Sequence, residues 1–207
     1  MQGILSLALA AILSLQVVPA QSQTTYQAPV IHVYSDTIST YDLAVAIAAI
    51  QVQIDCDLFP AWGYRARLSL ADGPDEYQFF LTNNLESKPL QKTCHCWGIH
   101  GVVSGVPTGY LFLYATNEKD HFIPWSIVMS HEILEMIVDP MGDQKTMISG
   151  RGVLLEVGDA VHRHSYSIGN VLVQDFVLPG YYIEGNLGPW DFLHELLGPY
   201  PETDDPK

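Results

Sequence analysis

The sequence predicts an α+β domain: a mixed sheet packed on two main helices. Three observations carry this expectation. Short stretches with β-branched or alternating character are interleaved with only two long helical patterns. Their order lacks the regular strand–helix–strand rhythm of a parallel α/β fold. Hydrophobic residues make up 48% of the chain and include 11 Tyr, 7 Phe and 4 Trp, enough to bury one core.

In chain order, Pro29 to Tyr34 is β-branched and reads as the first strand. A helix follows from about Tyr41 to Phe59. Ser39 or Thr40 caps it, Asp42 suits the positive end of its dipole, and Leu43, Ile47, Ile50 and Ile54 recur at three- and four-residue steps. Pro60 and Gly63 end it. Arg65 to Leu70 alternates like a strand, Ala71 to Asp75 is a turn, and Tyr77 to Thr82 is another strand. Trp97 to His100 is short and strand-like, Gly101 to Gly109 reads as a loop, Tyr110 to Ala115 as a strand and Asn117 to His121 as a loop. The second main helix covers about 124–138, from Pro124 to Val138, because Pro140 biases Asp139 away from the helical region. Val153 to Val157 and Val171 to Val177 are the last strands, and Gly169-Asn170 makes a turn. There is no internal repeat, so residues 29–198 are expected to form one domain, between a polar linker at 21–28 and a Pro- and Asp-rich tail at 199–207.

Residues 1–20 read as a secretory signal. The run Ile4 to Leu15 is apolar apart from Ser6 and Ser14, and Val18-Pro19-Ala20 supplies small residues for cleavage, although no Lys or Arg precedes the run. An exported location follows, and no other stretch is expected to be long and apolar enough to span a bilayer. The remaining length, roughly 185 residues, is ordinary for a single domain. Lys plus Arg number 9 against 23 Asp plus Glu, a formal net charge of −14. Such a surface disfavours nucleic acid and anionic membrane and suits cations. Of three cysteines, an oxidising compartment allows Cys56 to bridge Cys94 or Cys96, leaving one thiol, and the sequence leaves the pairing open.

The chemistry concentrates in Ser130-His131-Glu132-Ile133-Leu134-Glu135-Met136-Ile137-Val138-Asp139-Pro140. On a helix, His131 and Glu135 stand one turn apart on the same face and suit two ligands of one metal ion. Glu132 lies about 100° further round. In the peptidase pattern H-E-x-x-H, that glutamate takes a proton from a metal-activated water. Here the fifth position is Glu135, still a competent zinc ligand but a harder one, so manganese or calcium enters the choice of divalent metal beside zinc. The flanking Ile127, Val128, Ile133, Leu134, Ile137 and Val138 predict a largely buried helix. Burying His131, Glu132, Glu135 and Asp139 together costs free energy unless a cation neutralises them. A third ligand is expected downstream in Leu155-Glu156-Val157-Gly158-Asp159: Asp159 first, Glu156 second. His100 is a candidate for orienting a substrate carbonyl or a ligand, and Asp175 reads as a structural acid.

These pieces together resemble a family of bacterial and phage-associated zincin-like proteins, of metallopeptidase-type fold and without a settled activity. The resemblance rests on Ala49 to Gly63, Gly98-Ile99-His100, Gly105-Val106-Pro107 leading to Phe112, Ser130 to Pro140, Glu156 to Asp159 and Asp175 to Pro179. Two departures stand out. The family has a Cys-Asp-Pro step where this chain has Gly158-Asp159-Ala160, and Glu135 replaces the second zinc histidine. The resemblance implies a zincin-like domain acting on peptide or protein. The expected function is therefore an exported metal-dependent hydrolase of the zinc metallopeptidase type, with Glu132 as general base. The alternative is a non-catalytic secreted protein with a structural or relic metal site.

Overall fold

The computed structural model describes residues 28–73, 76–83, 96–114, 116–118, 121–148 and 150–198. The expected signal at 1–20, nearly all of the linker, the tail and Cys94 lie outside the described residues. The α+β class is observed: a mixed sheet with two main helices on one of its faces.

Strand β1 (Val30–Ser35) leads into helix α1 (Thr40–Gln53). Ser39 caps that helix, its Oγ accepting from Asp42 N–H at 3.1 Å and donating to Asp42 Oδ2 at 2.6 Å. The helix passes the expected stop at Pro60. A π-helical turn, Ile54–Leu58, bonds Phe59 N–H to Ile54 C=O, and helix α2 (Phe59–Trp62) then carries Pro60 in its first turn, where no N–H is needed. Gly63, at φ 75°, ends it in the left-handed conformation. By length and composition, Thr40–Trp62 is apolar enough to cross a membrane, contrary to the sequence expectation. Leu43, Ala46, Ile50, Ile54 and Leu58 are buried in the core, as befits the core helix of a globular domain.

Strands β2 (Arg67–Ser69), β3 (Tyr77–Thr82), β4 (Gly98–Val103) and β5 (Val106–Phe112) complete a sheet of order β2-β1-β3-β5-β4. Its pairings are parallel except β4 with β5. Here the structure corrects the reading of 101–109 as a loop. Ser104 and Gly105, at φ 52° and 86°, close a two-residue hairpin. Pro107 precedes the β3–β5 ladder, which begins at Thr108, so its missing N–H costs that ladder nothing. Gly109 is a packing residue: a Cβ there would lie 2.5 Å from the Phe79 ring and 2.8 Å from Met136 Sδ. The small residues that imitate a loop are what lets a helix sit close to this strand.

The sheet's two faces differ. Ile31, Val33, Phe79, Leu81 and Leu111 face the helices in the main core, whereas Tyr34, Phe80, Tyr110 and Phe112 stack in a row on the other face. Asn117–Glu118 and His121–Phe122 form short paired strands, β6 and β7, where a loop is expected from sequence. Helix α3 (Trp125–Val138) then crosses β4 and β5. Two antiparallel hairpins follow, β8 (Lys145–Ile148) with β9 (Arg151–Leu154), and β10 (Ser165–Ile168) with β11 (Val171–Gln174). The expected strand at 153–157 thus stops at Leu154, and Glu156 to Asp159 becomes a turn. Hairpin β10–β11 is pinned to both helices. Gln53 Nε2 donates to Gln174 C=O at 2.6 Å, and Gln174 N–H donates to Ser130 Oγ at 2.7 Å. Cys56 is a free, exposed thiol, which rules out a bridge from it, and Cys96 is disulfide-bonded.

Candidate metal centre

Helix α3 buries Met129, Ile133, Leu134, Met136 and Ile137 in the core. Its helical period then turns His131, Glu132 and Glu135 toward the strand β4 and the turn after β9. Their side chains are 14%, 7% and 3% exposed, so all three are functional groups largely removed from water.

The turn after β9 closes the first side of the cluster. Gly158 N–H donates to Glu135 Oε1 at 3.1 Å, and a 3₁₀ turn, Asp159–Val161, begins immediately after it. His131 Nε2 stands 3.3 Å from Glu135 Oε2 and 3.7 Å from Asp159 Oδ1. Ligand atoms of His131, Glu135 and Asp159 all lie within 4.8 Å of one another. Donors bound at about 2.1 Å to one ion stand roughly 3–4 Å apart, so these spacings suit a shared cation better than direct hydrogen bonds.

Sheet register brings in the second side. His100 pairs with Gly109, whose neighbour Phe79 faces the helices, so the His100 side chain points at α3. It is 4% exposed, with Nδ1 3.3 Å from Glu132 Oε2 and 3.7 Å from Glu135 Oε2, and Nε2 3.9 Å from Glu156 Oε2. Glycines make the room. A Cβ on Gly98 would meet Glu132 Oε1 at 2.5 Å, and one on Gly158 would meet His131 Nδ1 at 2.5 Å. Six residues singled out from sequence, His100, His131, Glu132, Glu135, Glu156 and Asp159, therefore converge. His100, expected to orient a substrate carbonyl or a ligand, lies within the acid cluster itself.

Asp139 is not part of it. Its carboxylate is fully buried but accepts from Gly142 N–H, Gln144 N–H and Gln144 Nε2 at 3.1, 2.7 and 3.2 Å. It caps the turn after α3, and three protein donors meet the need that sequence reasoning assigned to a cation.

The cluster's charge is balanced by protons on the chain's own groups. Burial opposes a charged His131, but Glu135 and its neighbours outweigh it and raise the imidazole to about 10. His100 is likewise raised to about 9: burial opposes, while the bond to Glu132 and the nearby carboxylates prevail. Burial raises Glu156 to about 8, helped by the charge on Glu135. Glu132 is raised too, with burial as the main cause. Glu135 alone goes down, to about 2, because His131 and His100 outweigh its burial. Four carboxylates and two imidazoles in one pocket are a strong cation trap. Two surface hollows lie elsewhere, one of about 710 Å³ between α1 and β2 and one of about 380 Å³ beside Tyr34. The cluster meets solvent chiefly at Asp159, whose side chain is 39% exposed.

One consequence concerns Gly158, whose φ of −94° any residue tolerates. Gly158→Ala should push the His131 ring out of place and, for any metal ion the cluster holds, weaken affinity on the order of 10–100-fold, the range seen when groups supporting a metal ligand are lost. Gly152→Ala, where the nearest neighbour of a Cβ is 3.6 Å away, should change nothing. Competition against a chromophoric chelator measures both, and equal affinities would refute the cradle role of Gly158.

Fold and site together define an α+β domain with a buried histidine–carboxylate cluster of metal-ligand type. Comparison with protein-family models, curated proteins and solved structures finds no match for the chain.

Proposed function

We propose that the chain is an exported metal-dependent hydrolase with a zincin-like domain, acting on peptide or protein. The observation that carries this reading is the convergence of His131, Glu135 and Asp159 within ligand distance, beside Glu132 on the same buried helix. One nitrogen and two oxygens fit zinc, and the two carboxylates also suit manganese or, less well, calcium. In support of the zincin-like reading, the H-E-x-x-E helix lies against an outer antiparallel strand. That strand, β4, ends the sheet among the described residues, and an extended peptide can add to such an edge through main-chain hydrogen bonds.

In this reading His131, Glu135 and Asp159 hold the ion, with Glu156 behind them. When bound, a divalent ion polarises a carbonyl group and makes water a stronger nucleophile near neutral pH. The remaining work falls to the chain. The Glu132 carboxylate accepts the proton of the attacking water and returns it to the leaving amine. His100, through Nδ1, holds that carboxylate in place.

Protein purified without added metal should carry a divalent ion and cut unstructured peptides. Chelation should abolish cleavage and zinc should restore it. Zinc at a hundred times its Kd should also stabilise the fold by about 2.7 kcal/mol. Bound metal with no cleavage across a broad peptide screen would move the reading to the alternative, a secreted protein with a structural or relic metal site. Protein that takes up no zinc, manganese or calcium would end both.

A further inference from the structure

Glu135 belongs to two sets of ligand atoms. One is His131, Glu135 and Asp159; the other is His100, Glu135 and Glu156, and within each set the atoms lie within 4.8 Å of one another. We propose that the centre is dinuclear: a second divalent cation is held by His100, Glu135 and Glu156, and the Glu135 carboxylate bridges the two ions. The second site rests on the proposed first one, because they share that carboxylate.

Three observations support it. The first is an orphaned donor atom. The His100 side chain is 4% exposed, and its Nε2 is buried without a hydrogen-bond partner among the described residues. Its neighbour, Glu156 Oε2 at 3.9 Å, is too far for a hydrogen bond but suitably placed to share an ion. An imidazole nitrogen left unpaired at that depth costs free energy unless something fills the gap.

The second is the other ring nitrogen. His100 Nδ1 faces Glu132 Oε2 at 3.3 Å. Ligating histidines characteristically give one nitrogen to the metal and the other N–H to a carboxylate, which fixes the ring and its tautomer. His100 fits that arrangement with Nε2, the nitrogen 3.9 Å from Glu156, as the ligand atom, while Nδ1 also lies 3.7 Å from Glu135 Oε2. Gly98 supports it, since a side chain there would strike the Glu132 carboxylate.

The third is charge. Glu132, Glu135, Glu156 and Asp159 bring four negative charges to one pocket, and Glu132 and Glu135 are almost wholly buried. One dication with neutral imidazoles leaves two of those carboxylates to be balanced by protons, whereas two dications balance all four in ionised form. Carboxylate-bridged ion pairs are a recurring arrangement for hydrolysis, in which the two ions sit on either side of the bond being cut.

The test is metal stoichiometry. The full chain, stripped with a chelator and re-equilibrated with zinc alone, should bind two ions by elemental analysis. His100→Ala should bind one, and His131→Ala should bind one. Glu156→Gln, close in shape to the parent, should also bind one, and it serves if the alanine variant does not fold. Manganese in place of zinc should give the electron paramagnetic resonance spectrum of a spin-coupled pair. One ion in the parent, lost in His131→Ala and kept in His100→Ala, would overturn the second site and leave the first standing. One ion lost in either variant would mean a single centre spanned by both histidines, which also overturns the proposal. No ion in the parent would sink both readings.

Discussion

Glu132→Gln is expected to lower turnover on peptides by about 10²–10⁴, the usual worth of a general base, while bound metal stays at the parent level. The substitution keeps shape and hydrogen bonding and removes only the ability to accept a proton. Glu132 lies outside both ligand sets, so metal retention separates loss of the base from loss of the ion. The pH profile supplies a second readout. Burial raises the Glu132 pKa above the ordinary carboxylate range. A base must be ionised to work, so the parent's rate should climb with pH as Glu132 ionises, and the climb should be missing from whatever activity the variant retains. A variant as active as the parent, with metal in place, would remove Glu132 from the mechanism.

The central helix and its His131–Glu135 pair were legible because an i, i+4 pairing on an apolar helix leaves few other geometries. The same holds for Asp159: a metal pair on a helix needs a downstream carboxylate, and the Gly158 turn was an evident place for one. What escaped was what register decides. His100 faces α3 only because β4 pairs antiparallel with β5 in one particular alignment, and that hairpin was hidden behind Gly101, Gly105, Pro107 and Gly109. Each of those residues is common in loops, yet Gly109 is present because Phe79 and Met136 occupy the space of its side chain. Asp139 failed in the opposite direction. Its burial was foreseen, but backbone donors three and five residues downstream satisfy it. A short acidic side chain just past a helix forms such local bonds readily, and that signal was available in the sequence. The early stop at Leu154 has a similar origin, since a strand cannot continue where the backbone must turn Gly158 N–H toward Glu135.

A second large effect is expected at a separate group of acids, the buried pair Asp175 and Asp191. Both are fully buried, and Val177 and Asp191 bridge the segments that carry them. Asp191 is well supplied, accepting from Glu195 N–H at 2.9 Å and Leu196 N–H at 3.1 Å. Asp175 Oδ1 accepts from Phe176 N–H at 2.8 Å, but Oδ2 has no donor among the described residues. His164 also brings a ligand atom within 4.8 Å of the two acids, but its Nδ1 lies 3.3 Å from Glu195. A proton shared between the carboxyls is enough to account for the pair. Burial, then the bond to Asp191, raises Asp175 to about 8. The unfolded chain releases that proton near pH 4. Between about pH 4 and 8 the native state therefore holds one proton more, and its stability falls as pH rises, by up to about 1.4 kcal/mol per pH unit. Asp175→Asn places a permanent N–H donor where the shared proton sits. The variant should match or trail the parent near pH 4 and exceed it by a few kcal/mol at pH 8–9. Urea unfolding of both proteins across that range, after chelation, measures the divergence. Parallel curves would show that no proton is held there, and that Oδ2 is satisfied in some other way.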